Sequence, residues 1–339
     1  MRVGFNPHKD KIQETGDYFH QVILPVYIPS FEGYFKDSFE ILKLCLESLF
    51  QSSHKKTYIT IVNNGSCKEV TVYLERLLSE NKIQELINTT NIGKINAVLK
   101  GLAGVRVPLI TISDADVMFL TGWQEATYNV FRSFPKAGVV CPTPSSKSYK
   151  TFTSNIYWDL FWSKKLRFTP VKNRAALEAF AHSIGNEEFY KEYHLKQFLT
   201  VSSSEGTKAV VGAGHFIATY REEVFAGKLP KFTRYRLGGT SEQEVLDLPS
   251  VKRGFWRLST EDNYACHLGN VVEPWMKEKL LSVKKNATPS EAPALLERKA
   301  SRLEYYLKIK LFAKIIFAKK ILSKILWMKG LPKDVSGKY

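Results

Sequence analysis

Leu109-Ile110-Thr111-Ile112-Ser113-Asp114-Ala115-Asp116-Val117 is the stretch that decides how this chain folds. Its first four residues are apolar or β-branched, too short a run for a helix, and read as a buried strand that ends at Asp114. Two carboxylates follow, two residues apart. Hard divalent cations take oxygen ligands, and Mg2+ or Mn2+ beside phosphates takes one or two carboxylates. An Asp-x-Asp also caps ordinary turns and helices, so the pair acquires meaning only from its surroundings.

Upstream, residues 22–28 (Val-Ile-Leu-Pro-Val-Tyr-Ile) read as a strand. Residues 38–50 read as a helix with Phe39, Leu42, Leu46 and Leu49 at helical spacing. Residues 57–62 form a second strand, closed by the turn cluster Asn63-Asn64-Gly65-Ser66. A helix through 68–80, a short strand at 85–89 and a helix at 94–103 lead to the quoted strand. Downstream, a helix from about 122 to 132 precedes the strand Gly138-Val139-Val140-Cys141. The alternation predicts an α/β fold: a mostly parallel central sheet flanked by helices. Ligands of such sheets sit beyond the carboxyl ends of the strands, where Asn63, Asn64, Asp114 and Asp116 fall. Residues 144–208 read as helices and loops inserted beside that edge, 209–219 as one apolar strand, and 230–258 as loop.

Four further segments carry candidate chemistry. Asn91-Ile92-Gly93-Lys94 opens a helix, where a glycine admits close approach by a ligand and a lysine suits an anion. The pattern GxxxxGK[ST] is missing, which disfavours a Walker-type ATP site. Val211-Gly212-Ala213-Gly214-His215-Phe216 sets glycines on a strand, again a place for close approach, without completing a GxGxxG dinucleotide pattern. Gly238 to Asp247 brings Glu242, Glu244 and Asp247 into one flexible segment, and an acid near a reacting centre can act as a general base. Thr260 to Asn270 contains His267, one of seven histidines and a candidate metal ligand through its imidazole. Each segment alone also fits a plain structural role: a helix cap, a bulge, a solvated loop, a packed histidine.

Taken together and in order, these segments resemble the family 2 glycosyltransferases, over about residues 20 to 273. Pro25-Val26-Tyr27 looks like that family's first-strand segment against the nucleotide base, and Val62-Asn63-Asn64-Gly65-Ser66 like its second-strand segment. Asn91-Ile92-Gly93-Lys94 resembles the loop before the Asp-x-Asp strand, and Asp114-Ala115-Asp116 the metal motif. The resemblance implies a GT-A-type nucleotide-sugar-binding fold and an inverting transfer from a nucleotide-diphosphate sugar, a UDP- or GDP-sugar first, to a hydroxyl on a glycan or lipid-linked acceptor. This is the chemistry of surface polysaccharide or glycolipid assembly. It implies donor contacts from Pro25, Val26, Tyr27, Asn63, Asn64, Ser66, Gly93, Lys94, Asp114 and Ala115, and a sugar and acceptor pocket from Gly212, Ala213, Gly214 and His215. It implies Mn2+ or Mg2+ on Asp116 and His267, and Glu242 as base, with Glu244 and Asp247 as alternatives. Two departures stand out: Asn63 replaces a frequent Asp, and Glu242 replaces the usual Asp.

The 339 residues suffice for a catalytic domain over 1–275 and a helical, Lys-rich extension over 276–339. A formal charge of +16 favours anionic partners. No RNP aromatic segment or zinc-finger spacing accompanies it, so nucleic acid is not expected. Cysteines at 45, 67, 141 and 266 form no CxxC pair and read as reduced thiols. The first 17 residues are polar and unlike a signal peptide, and no run of about 18 apolar residues exists to span a bilayer. Residues 307–328 alternate Lys with Leu, Ile, Phe and Trp, with Lys310, Lys314, Lys320 and Lys324 opposite Leu311, Ile315, Leu322 and Leu326. A helix over 301–330 would rest on an anionic membrane surface. The expected location is cytoplasmic, peripheral on the inner face of the membrane.

Overall fold

A computed structural model describes residues 4–7, 9–11, 16–227, 229–286, 291–298 and 301–339. Much of the polar N-terminal stretch lies outside the described residues. Strand β1 (His20–Val26) is followed by helix α1 (Ser38–Ser52), β2 (Thr57–Asn64), α2 (Lys68–Ser79), β3 (Glu85–Thr89), α3 (Lys94–Gly101) and β4 (Leu109–Ser113). Then come β5 (Val117–Phe119), α4 (Trp123–Ser133), β6 (Ala137–Cys141), α5 (Ser154–Leu160), β7 (Leu166–Pro170), α6 (Arg174–Ser183), β8 (Gln197–Ser202), β9 (Lys208–Val211), β10 (Ile217–Arg221), β11 (Trp256–Thr260) and β12 (Ala265–His267).

Ten of these strands make one sheet in the order β3-β2-β1-β4-β10-β6-β11-β9-β8-β7. The first four run parallel, as the strand–helix alternation requires. Beyond β4 the sheet is mixed: β10 enters antiparallel between β4 and β6, and β9, β8 and β7 continue antiparallel. Pro25 lies opposite Val62 of β2, beyond the end of the β4 pairing at Ile23.

The apolar faces of α1, α2 and α3 close over β1, β2 and β4, with Leu42, Leu46, Leu74 and Val98 fully buried. A second core gathers α4 and α5 against β7, β8, β9 and β11, and the C-terminal helices complete it through Ile316, Leu322, Ile325 and Leu326. Burying each such side chain stabilises by about 1.5–3 kcal/mol.

Four sequence expectations are corrected here. The stretch 209–219 is two strands that do not pair with each other. Gly212, at φ +103°, turns the chain out of β9 before β10 begins. Residues 230–258 are not all loop: helical turns at Gln243–Asp247 and Leu248–Lys252 lead into β11, buried along its whole length. Residues 144–208 contribute two strands to the sheet, not only helices and loops. The helix of residues 301–330 is interrupted at Phe317 and Ala318, and part of its apolar side packs on the sheet instead of facing outward. Lys329 Nζ anchors it by donating to the carbonyls of Leu160, Phe161 and Ser163 at 3.1, 2.6 and 3.1 Å.

Candidate active site

A cavity of about 770 Å3 opens at the carboxyl end of β4. Lys94, Asp114, Gly214, His215, Glu242 and His267 all line it. The backbone explains the convergence. β10 runs antiparallel to β4, with Ile217 opposite Ser113, so the Gly214–Phe216 turn emerges beside Asp114, and Asp114 N–H donates to the Phe216 carbonyl at 2.7 Å. A small ribbon, β5 with β12, pairs His267 with Val117 and thereby lays His267 against Asp116.

Lys94 is the electrostatic hub. Its Nζ lies 2.6 Å from Asp114 Oδ1 and 3.1 Å from Glu242 Oε1. Burial alone would lower its pKa, but the two carboxylates raise it above the usual lysine value. The other Glu242 oxygen is 3.8 Å from His215 Nδ1, and His215 Nε2 lies 2.7 Å from Asp247 Oδ1. Asp247 is fully buried and paired with the equally buried Arg257, which also donates to the Ala213 carbonyl at 2.8 Å. A charged pair beneath the floor therefore fixes the His215 imidazole.

Asp116 differs from Asp114 in having no cation bound to it. Its Oδ1 is buried without a hydrogen-bond partner, and Oδ2 stands 3.6 Å from His267 Nε2, too far for a hydrogen bond. Burial, with Asp114 nearby, pushes its pKa up to about 6. The His267 ring is oriented at its other nitrogen by Ser183 Oγ at 3.0 Å. A carboxylate with one oxygen orphaned and the other near an oriented imidazole suits a divalent ion. Among the described residues no group of three or more His, Cys, Asp or Glu side chains is placed to hold a metal ion. An ion here would take two protein donors and complete its shell from substrate or water.

The remaining candidates lie elsewhere. Pro25, Val26, Tyr27, Asn63, Asn64, Ser66 and Ala115 do not line this cavity. The Asn63 amide donates to Thr71 Oγ1 and Asn88 Oδ1, Asn64 Oδ1 accepts from Ile92 N–H, and Ser66 Oγ accepts from Ile28 N–H. Asn63 and Asn64 thus tie β2 to β3 and the loop after it, Ser66 ties the end of β2 to the segment after β1, and Tyr27 stands exposed. Two glycines are corrected: the close neighbour is the chain itself rather than a ligand. A Cβ on Gly93 would lie 2.8 Å from Arg236 Cα, and one on Gly212 would lie 2.4 Å from the Ser148 carbonyl oxygen. Of the alternative bases, Asp247 is sealed behind His215, and Glu244 turns away to a second cavity.

Sequence reasoning missed the roof. Phe180 on α6 stacks on Phe216 and meets His267 edge-on, while Tyr190, Asn173 and Trp275 complete the wall. The aromatic density of residues 144–208 was the available signal.

Residues 26–193 match the family profile described as Glycosyl transferase family 2. No curated protein matches the chain. Among solved structures, S. aureus TarS is similar at 12% identity and a TM-score of 0.41, over 78% of this chain and 38% of that one. The alignment thus spans well under half of the TarS chain. The TarS 1–349 structure is 11% identical with a TM-score of 0.43, covering 92% and 81% of the two chains. TarS 1–349 in complex with UDP is 12% identical with a TM-score of 0.40, covering 78% and 63%.

Proposed function

The chain belongs to glycosyl transferase family 2 through residues 26–193, and from that premise we propose that it moves a sugar, with inversion, from a nucleotide-diphosphate sugar to a hydroxyl acceptor. The observation that carries this reading is the meeting of Asp114, Glu242, His215 and His267 on one cavity, with Asp116 against His267. Glu242 takes the proton of the acceptor hydroxyl as that oxygen attacks the anomeric carbon. The bond from the anomeric carbon to the diphosphate breaks on the opposite face, and its electron pair leaves with the diphosphate. Asp114 orients the sugar or ribose hydroxyls, Lys94 supplies positive charge beside the departing anion, and the pinned His215 aligns the acceptor. Asp116 and His267 would hold Mn2+ or Mg2+, which when bound supplies countercharge to the diphosphate.

The acceptor we infer is a glycan, or a glycan on a lipid. Leu311, Ile315, Ile321 and Trp327 stay exposed on the C-terminal helices beside exposed Lys310, Lys314, Lys320 and Lys324. That mixture supports a peripheral seat on an anionic membrane, on its cytoplasmic face. Among the described residues no helix is long and apolar enough to cross a membrane.

The test is a melting-temperature screen with UDP, GDP, CDP and dTDP, each with Mn2+ or Mg2+, followed by transfer assays with the sugar donors of the responding base. Near a hundredfold excess over Kd, a ligand stabilises by about 2.7 kcal/mol. One nucleotide should raise the melting temperature in wild type and not in Asp116→Ala. Glu242→Gln should keep that shift and lower transfer by about 100-fold or more. A folded protein that responds to no nucleotide would overturn the proposal.

A further inference from the structure

A second cavity, of about 850 Å3, opens where the segment after β10 meets the C-terminal extension. Four cations stand on its walls, Lys252, Arg253, Arg298 and Arg302, against one acid, Glu244. Lys252 and Arg253 end the turn Leu248–Lys252, and Arg302 opens the helix Arg302–Tyr305, so two distant parts of the chain deliver the charge to one place. Arg298 is paired with Glu304 at 3.0 Å, yet its Nε is buried and makes no hydrogen bond. Among the described residues, Lys252, Arg253 and Arg302 form no ion pair. Glu244 already accepts a hydrogen bond from Thr240 Oγ1 at 2.7 Å. Three unpaired cations against one acid leave an excess of two positive charges around a concave space.

Like charges gathered around a concavity repel one another more strongly than on open surface, and a dianion entering the space relieves that repulsion. Guanidinium groups present paired N–H donors that match phosphate oxygens. Val224, Leu229, Leu248 and Pro249 add apolar wall beside the cations, a seat for whatever carries the phosphate.

We propose that this cavity is a diphosphate-binding site, distinct from the cavity built on Asp114, in which Arg253 and Arg302 are the principal anion contacts and Lys252 and Arg298 complete the positive wall. The two cavities share a backbone segment. Glu242 lines one and Glu244 the other, two residues apart. The site stands independently of the glycosyltransferase reading, since it rests on charge and shape away from Asp114.

Pyrophosphate titrated calorimetrically into the full chain tests it, in EDTA so that no divalent ion recruits the anion to Asp116 and His267. Wild type should bind saturably, and Asp116→Asn/His267→Gln should bind as well as wild type. Arg253→Gln/Arg302→Gln should bind about ten-fold or more weakly. The site is overturned if wild type binds no pyrophosphate and its binding to the vesicles below does not depend on Arg253 and Arg302, or if pyrophosphate binding is lost in the Asp116/His267 variant and kept in the arginine variant. Flotation with phosphatidylcholine vesicles, with and without phosphatidic acid, separates the sources of the phosphate. Binding to the acidic vesicles that disappears in Arg253→Gln/Arg302→Gln places the phosphate on a lipid headgroup. Arginine-dependent pyrophosphate binding without it makes the ligand a soluble diphosphate. Melting curves check that the variants fold, and Arg302→Gln alone, at an exposed position, serves if the double variant does not.

Discussion

Asp247 and Arg257 carry opposite charges at positions that water does not reach. Burial alone would raise the Asp247 pKa, but Arg257 and His215 hold it below the ordinary carboxylate value. The folded-state value is depressed, so the pair's contribution is complete above the ordinary carboxylate range and is lost as pH falls through the folded value. Asp247→Asn leaves the Arg257 charge enclosed and uncompensated, which costs about 3–5 kcal/mol. Urea unfolding should show a lower midpoint with little change in slope. His215→Gln keeps the pair and should leave the midpoint close to wild type. If Asp247→Asn matched His215→Gln in stability, the pair would not be the anchor described here.

Among the elements, Gly212 makes the sharpest demand. Its φ of +103° and the Ser148 carbonyl oxygen 2.4 Å from any added Cβ both exclude a side chain. Gly212→Ala should destabilise by about 1–3 kcal/mol in chemical denaturation, and it should disturb the Ser145–Ser148 wall of the cavity as well. Most elements before residue 141 were legible because β1, β2, β4 and β6 are apolar runs spaced by amphipathic helices; the short β5 was not read. β11 was not: Trp-Arg-Leu-Ser-Thr reads as loop until Asp247, ten residues earlier, is known to neutralise Arg257. β7 does alternate, with Leu166 and Phe168 inside and Arg167 outside, but Pro170 and the surrounding lysines mask it. Of the candidate site, Asp114, Glu242 and His267, which line one cavity, were singled out by their order along the chain. For the α6 roof the aromatic density of residues 144–208 marked the region but not the residue, because Phe180 reads as any core aromatic until Phe216 is placed against it. On the C-terminal helices, Trp327→Glu removes an exposed apolar contact and should weaken flotation with anionic vesicles. Unchanged flotation would dismiss that surface.

At the scale of the whole molecule, three buried histidines set the acid limit of stability. His20 and His54 share the Tyr128 hydroxyl, at 2.5 and 2.8 Å, beneath β1. His194 lies under the second core, near Lys147 and Lys150. Burial lowers all three, His54 and His194 to about 4 against an ordinary 6.5. The folded protein therefore binds fewer protons than the unfolded chain between these values, and stability is complete above 6.5 and falls toward 4. At pH 5 the protein should therefore be less stable than at pH 7, with His54 and His194 both contributing to the loss. Denaturant midpoints measured from pH 7 to pH 5 should decline, and His54→Gln should flatten the decline. A flat wild-type profile would contradict the assignment.

The hydrogen bond from Asp114 N–H to the Phe216 carbonyl continues the β4–β10 ladder to the very mouth of the cavity. Its two flanks are thus cut from one plate, with no joint between them, and a bulky guest cannot be admitted by spreading them. The stretch leading to Glu242 borders the same cavity but is held by two hydrogen bonds instead of by the sheet: Asn96 Oδ1 accepts from Thr233 N–H at 2.7 Å, and Lys94 N–H donates to the Arg236 carbonyl at 2.9 Å.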